Sequence, residues 1–531
     1  MAEGADEGRQ TARRLIPPAL AVTALSLVLY GWPAPRLSEE LYLPLVKRAG
    51  DPDYLRGDWT FSGAFPEHWV FNHLLAPLGR ALPIEVLGWV GRLATWPLLA
   101  YLLVGLVGRL RIRPWAAAGA VMLWLVANQA VLGGEWILGT FEAKTVAYCF
   151  LLGALHASLS GRVPLALVLL GTTLALHPAV GLWGAWAGSI ALLALPETRR
   201  ATLRWCWLGL CFAAPGLVEG FAAIGPATDA LRQFVVLVAI PYHTDPFFGG
   251  TTAGGWQAGL RIGLLLAMFA ANLWAFRRSS RDLAQRYLAA FQIAAAVPFA
   301  LGIVARVLGL WSFLQLMPFR SFPLFVPLVF FAQVVRLASE SWHTGPAPGT
   351  SRRARRRAER SGRRRAVGLV SGAAFIALLG TAPLLAAPRM AARNLAAWTG
   401  RDDEGAAFEW IRENTTPSTR CIVSVDRQDA FSRTQRPLVA NWQAIRYDDL
   451  AAWKRRVVDL VGSPATFDGP GWTGDLEHLR DAYAGLDATQ VERIARRYDA
   501  TCLVSTTHYP FPVRHREGDV RIYRIDKGGR P

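Results

Sequence analysis

The stretch LIPPALAVTALSLVLYGW, Leu15 to Trp32, decides how the rest of the chain is read. It approaches the roughly 20 apolar residues that a membrane helix needs, and it follows Arg13 and Arg14, as the core of a signal peptide would. No A-x-A-like cleavage site follows it and many similar runs do, so it is expected to be a retained signal anchor. The further runs centre on Leu98, Leu123, Phe150, Leu169, Ser189, Leu210, Leu266, Ala295, Pro327 and Ala374. With the first, centred on Ala21, they amount to about eleven candidate spans. The pair around Leu169 and Ser189, joined by LHPAVGLWG, reads as two short spans or a re-entrant hairpin, and LRQFVVLVAIPYH as a further half-helix.

Composition agrees with this reading. Of the 531 residues 52% are hydrophobic, with 21 Trp and 25 Phe, and the mean hydropathy is +0.25, too apolar for an ordinary soluble protein. The formal charge of +18 does not imply nucleic acid, because the basic residues fall in short clusters between apolar runs. Arg13 and Arg14, Arg109 to Arg113, Arg162, Arg199 to Arg204, Arg277 to Arg281, and SRRARRRAERSGRRR (Ser351–Arg365) all fall on one side if the spans alternate. That side is then the cytoplasm, and the last cluster reads as a solvated loop drawn to anionic lipid. The opposite, external face receives AGDPDYLRGDWTFSGAFPEHW (Ala49–Trp69), GGEWILGTFEAK, the His177–Pro178 turn, IPYHTDPFFGG and WSFLQLMPFRS.

The composition changes near Arg389, so the chain divides into a helical membrane domain, 1–388, and a soluble extracytoplasmic α/β domain, 389–531. In the second part DDEGAAFEWIREN, DDLAAWKRRVVDLV and DATQVERIARRY have helical spacing, and CIVSV, TCLVST and VRIYRI read as strands. Helix alternating with strand suggests a small parallel-type sheet. Cys421 and Cys502 each open a strand, so neighbouring strands would bring them within disulfide reach. The five cysteines show no metal-ligand spacing, and there is no GxGxxG or P-loop.

Ionisable residues near membrane depth are the candidates for chemistry. The first external loop offers Asp51, Asp53 and Asp58 as catalytic carboxylates, with Glu67 and His68 beside them. The next external stretches add Glu135, Glu142 and Lys144, then His177, then His243, then Arg306 and Arg320, all candidate substrate-binding residues. A carboxylate next to an acceptor hydroxyl serves as general base, and arginine holds a departing phosphate. The Asp51-x-Asp53 spacing could also hold a divalent cation such as Mg or Mn. Each position has a plainer explanation. Asp51 before Pro52 starts turns, Asp53 caps helices, Glu142 and Lys144 form an ion pair, His177 ends a helix, and Arg320 snorkels to headgroups.

An acidic first external loop, many spans and a soluble tail together resemble the GT-C superfamily of glycosyltransferases. FEAKTVAY, ALHPAVGLW, IPYHTDP and AAFEWIRENTTP also resemble a group of uncharacterised bacterial membrane proteins near that superfamily. The resemblance implies a multi-pass protein of the cytoplasmic membrane that uses a polyprenyl-phosphate-linked sugar donor and modifies a cell-envelope acceptor outside. It implies a catalytic carboxylate among Asp51, Asp53 and Asp58, a second acidic position at Glu135 or Glu142, and lipid-phosphate contacts from Arg306 or Arg320. No WWDYG-like motif occurs in the tail, which speaks against peptide N-glycosylation. The adjacent acidic pair of protein O-mannosyltransferases is also missing from the first external loop, which speaks against that activity. A transporter or flippase of a lipid-linked or anionic substrate, and a non-catalytic envelope scaffold, are the rival classes. The two halves show no internal repeat, which counts against the first.

Overall fold

The computed structural model describes residues 2–36, 38–62, 67–223, 227–248, 256–277, 282–341, 387–400, 402–467 and 476–526. The expected span at Ala374 and the basic run Ser351–Arg365 lie outside the described residues. The first part is helical: α1 (Ala2–Tyr30), α2 (Glu39–Gly50), α3 (Trp69–Ala81), α4 (Ile84–Gly108), α5 (Pro114–Val126), α6 (Ala143–Leu159), α7 (Val163–Leu176), α8 (Pro178–Ala194), α9 (Pro196–Ala223). It continues through α10 (Asp229–Phe234), α11 (Pro241–Thr244), α12 (Trp256–Arg277), α13 (Leu283–Leu308), α14 (Trp311–Leu314) and α15 (Ser321–Ser341). Every expected span centre in the described residues falls inside one of these helices.

Six of them, α1, α4, α9, α12, α13 and α15, are long and apolar enough to cross a membrane. The helices α5 to α8 are apolar but have only 10–17 residues. At 1.5 Å per residue the longest of these reaches about 26 Å, short of a hydrocarbon core of about 30 Å. Among the described residues, six of the roughly eleven expected spans thus have the length of a full span, and four more are shorter apolar helices.

Sequence explains the break between α7 and α8. Pro178 has no N–H to continue α7, and His177 Nδ1 accepts the Val180 N–H at 3.2 Å, capping α8. Helix α9 lies against this break because Gly216 lets it approach: a Cβ there would sit 2.0 Å from Leu174 O.

The second part contains α16 (387–399), α17 (Asp403–Asn414), β1 (Cys421–Ile422), α18 (Ala430–Thr434), α19 (Leu450–Leu460), α20 (Leu476–Ala484) and α21 (Ala488–Tyr498). It closes with β2 (Cys502–Ser505), β3 (Val513–Glu517) and β4 (Val520–Arg524). The sheet order is β1-β2-β4-β3, and only β1 and β2 run parallel. A parallel-type sheet was expected; the final pair instead forms a hairpin. Glu517 faces Val520 across Gly518–Asp519, with Gly518 at φ +55°, and so short a turn can join only antiparallel strands. Cys421 and Cys502 are register partners on β1 and β2, both buried and both free thiols.

The tail is seated on the first loop. Asp58 is buried and accepts the backbone N–H of Leu438 at 2.7 Å and of Thr60 at 2.8 Å. Trp59 lies between the guanidinium groups of Arg446 (4.7 Å) and Arg456 (4.4 Å). Arg420 donates to Gly57 O at 2.8 Å, and Arg446 to Trp59 O at 2.7 Å.

An adjacent acidic pair does open this loop, at Glu39 and Glu40 of α2, upstream of Ala49–Trp69. Glu39 is locked to Arg92 of α4 (2.8 Å and 2.5 Å) and to the Phe141 N–H. Glu40, also buried, faces Arg36, Arg427 and Arg433. Glu39 therefore holds elements together, whereas Glu40 also lies near the like charge of Asp429.

Candidate active site

A cavity of about 340 Å³ lies where the membrane helices, the first loop and the tail meet. Its polar wall collects Tyr42, Glu67, His68, His177, Glu219, Tyr242, His243, Gln315, Arg320, Gln443 and Tyr447. Its apolar wall comes from α8 and α9, with Ala179, Leu182, Leu217 and Phe221, and from Leu41, Leu174, Ile240 and Leu316. The segments that the basic clusters assign to one face therefore converge.

Glu67 and Glu219 place two carboxylates on the cavity. Glu219 is the lone acidic group in the apolar stretch of α9, and it accepts the backbone N–H of His68 at 2.6 Å and of Trp69 at 3.1 Å. Those are orphan donors at the start of α3, where the helix dipole also favours negative charge. The grip holds His68 at φ +61°, a conformation that costs a residue with a Cβ about 1–2 kcal/mol. Glu67 keeps part of its surface open to the cavity. Burial, with the Glu219 charge next to it, pushes its carboxyl up to about 8, against the pull of Arg320.

The histidines are neutral. Burial, with Arg320 and Lys144 adding to it, drives His68 down to about 3 and pushes His243 well below the ordinary histidine range. The rings of His68 and His177 stack at 4.5 Å, and neither ring nitrogen of His68 has a hydrogen-bond partner among the described residues. His243 is fixed by its Nδ1 against Gly133 O at 2.8 Å. Neutral imidazoles, the phenol hydroxyls of Tyr42, Tyr242 and Tyr447, and the amides of Gln315 and Gln443 offer uncharged donors and acceptors.

Among the described residues Arg320 is the one lysine or arginine on this wall, and a second set of buried charges stands behind it. Its Nη1 donates to Glu135 at 2.7 Å while its buried Nε–H has no partner among the described residues. Glu135 also accepts from Tyr148 OH at 3.0 Å and lies 3.8 Å from Lys144 Nζ. Lys144 pairs with Glu142 at 3.3 Å and sits 4.0 Å over the Trp136 ring. Buried charges persist only when paired this fully. The turn that carries Glu135 needs glycine: Gly133 has φ +78°, and a Cβ on it would sit 2.5 Å from Phe319 O.

Of the residues singled out by sequence, Glu67, His68, His177, His243 and Arg320 line the cavity, and Glu135, Glu142 and Lys144 support Arg320 from behind. The three aspartates do not line it. Asp51 accepts the Asp53 N–H at 3.1 Å, a surface turn, and Asp53 pairs with Arg56 at 3.1 Å with both side chains 80% exposed. Asp58 is spent on the tail, as described above. Arg306 pairs with Asp245 at 3.1 Å, away from the cavity wall.

Asp51 is engaged by the Asp53 N–H and Asp53 by Arg56, and among the described residues no three His, Cys, Asp or Glu side chains gather as metal ligands. Sequence reasoning missed Glu219, although a lone carboxylate late in an apolar run was a usable signal. It also missed Tyr42, Gln443 and Tyr447, which no local pattern marks.

Residues 402–460 match a family described as a domain of unknown function, DUF6798. No curated protein matches the chain. Among solved structures it is similar to the oligosaccharyltransferase of Archaeoglobus fulgidus tethered via a disulfide bond to an acceptor peptide containing the NVT sequon. That likeness has 13% identity and a TM-score of 0.45, over 92% of this chain and 69% of the other. The same enzyme in complex with Zn and sulfate gives 14% identity and a TM-score of 0.44, over 92% and 67%.

Proposed function

We propose that the protein is a membrane glycosyltransferase that moves a sugar from a polyprenyl-phosphate-linked donor to a hydroxyl of a cell-envelope acceptor. The observation that carries this reading is the cavity itself, where Glu67 and Glu219, the Arg320 guanidinium and an apolar wall from α8 and α9 share one space. Each part has a task. The apolar wall receives the lipid end of the donor, and the Arg320 guanidinium on the polar wall supplies positive charge for the phosphate. The neutral imidazoles, phenols and amides bind sugar hydroxyls without competing for the phosphate charge.

In the step itself the acceptor oxygen attacks C1 of the sugar, and its proton passes to the Glu67 carboxylate. The bond from C1 to the phosphate oxygen breaks, and its electron pair leaves with the phosphate, where Arg320 offsets the added charge. Attack opposite the leaving group inverts C1. Glu219 holds the start of α3 and keeps Glu67 a strong base through its own charge. Asp51 and Asp53 take no part in this step.

The alternation of basic clusters supports a cytoplasmic N-terminus in the cytoplasmic membrane, with the cavity and the tail outside. Mass-spectrometric comparison of envelope glycans from cells lacking the gene, complemented with the wild type or with Glu67→Gln, tests the reading. A glycan that returns only with the wild type supports it. A glycan profile unchanged by deletion removes it.

A further inference from the structure

Helix α3 has one face turned away from the protein. At about 100° per residue, Leu74, Pro77, Leu78 and Ala81 fall on one side and Asn72 and Gly79 on the other. The second group is buried against α2, where Gly79 permits close contact: a Cβ there would lie 2.8 Å from Val46 O. The first group is open, with Leu74 64% and Leu78 43% exposed. Trp69, His73 and Arg80 run along one border of that open face. The Trp69 and His73 rings lie 4.4 Å apart, and Trp69 is 42% exposed.

An apolar strip edged by Trp, His and Arg is what the boundary between acyl chains and anionic headgroups selects. Two further observations choose lipid over a protein partner. The start of α3 is tied through Glu219 to the end of α9, and the Leu210, Phe212, Val218 and Phe221 side chains of that membrane-length helix are themselves exposed. The open face of α3 is thus joined to the exposed apolar surface of a helix long enough to cross a membrane. Its tilt is also fixed at the far end, where Lys47 Nζ donates to Gly79 O at 3.1 Å and to Leu82 O at 3.0 Å.

We infer that α3 lies along the bilayer surface with Leu74 and Leu78 among the acyl chains and Arg80 at the phosphates. Phe221, which both lines the cavity and is 70% exposed, makes the adjoining cavity wall one that faces lipid. The inference rests on membrane embedding and is independent of the transfer chemistry.

The test uses the full chain carrying Cys206→Ala and Cys211→Ala, because those two thiols are exposed. Single cysteines at Leu74, Leu78 or Phe221, with Asp53→Cys as the aqueous reference, are spin-labelled. The protein is placed in nanodiscs of equal parts phosphatidylglycerol and phosphatidylcholine. Collision with lipid-soluble oxygen is compared with collision with an aqueous nickel chelate. The expected result is an oxygen-to-nickel ratio severalfold higher at 74, 78 and 221 than at 53. A ratio at 74 and 78 equal to that at 53 overturns the inference, and so does low collision with both reagents, which would mean a protein covers this face. Neither outcome depends on sugar transfer, so it leaves the proposed activity to its own test.

Discussion

If Glu67 is the base, its rate must follow its ionisation. A carboxyl held at about 8 by burial and by Glu219 is only about one-tenth ionised at pH 7 and about nine-tenths at pH 9. The low-donor transfer rate should therefore rise about tenfold between those values and level off above them. An ordinary carboxylate, titrating near 4, would give a flat profile over that range. Glu219→Gln keeps the shape of the side chain and removes the like charge that raises Glu67, so the rise should move to lower pH. Glu67→Gln should lose about 10²–10⁴ in rate and the pH dependence with it. The assay is the initial rate of sugar transfer from a polyprenyl-phosphate donor by protein in nanodiscs, at subsaturating donor, across the pH series. A flat wild-type profile, or a Glu67→Gln variant with wild-type rate, would refute the assignment. The same raised carboxyl has a stability consequence of defined sign. The folded state holds the proton more tightly than the unfolded one, so this group's contribution falls as pH rises from its ordinary range through about 8.

Gly133→Ala should cost about 1–2 kcal/mol from its positive φ and displace the backbone before Arg320, lowering transfer while the protein still folds, as thermal melting and rate together would show. Asp58→Asn leaves one of two buried N–H groups facing an amide instead of a carboxylate oxygen. It should lower stability by about 1–3 kcal/mol and hasten proteolysis of the tail. Asp51→Asn and Asp53→Asn should leave the transfer rate unchanged, since both side chains serve a surface turn. Protein isolated from an oxidising face should carry Cys421 and Cys502 as a disulfide. Alkylation in denaturant without reductant would then reach only Cys149, Cys206 and Cys211, and reaction at all five would contradict it.

Apolar runs and basic clusters are local and additive, which is why the helices and the grouping of the polar loops were legible from sequence. Span length was less so: α5 to α8 have the hydropathy of spans without the reach. The site was half legible. His177 before Pro178 and the arginine of the MPFRS loop announce themselves as polar groups in apolar surroundings. Asp51 and Asp53 attracted notice for the same reason, yet a turn needs Asp as readily as a catalyst does, and only burial distinguishes the two uses. Tyr447 and Gln443 reach the cavity because Asp58, Trp59 and Gly57 seat the tail on the first loop, a contact across nearly 400 positions that no sequence window contains. Glu39 teaches the reverse lesson, since a carboxylate of an adjacent acidic pair that looks catalytic is occupied by Arg92 and the Phe141 N–H.

The most direct measurement is transfer by the purified chain. Nanodisc-embedded protein is incubated with polyprenyl-phosphate donors carrying radiolabelled sugars and with an envelope extract. Label is followed into the acceptor for the wild type, Glu67→Gln and Arg320→Gln. The account predicts transfer from at least one donor by the wild type and its loss in both variants. Movement of the intact labelled lipid across the bilayer with no sugar released from it would contradict the account and identify a transporter.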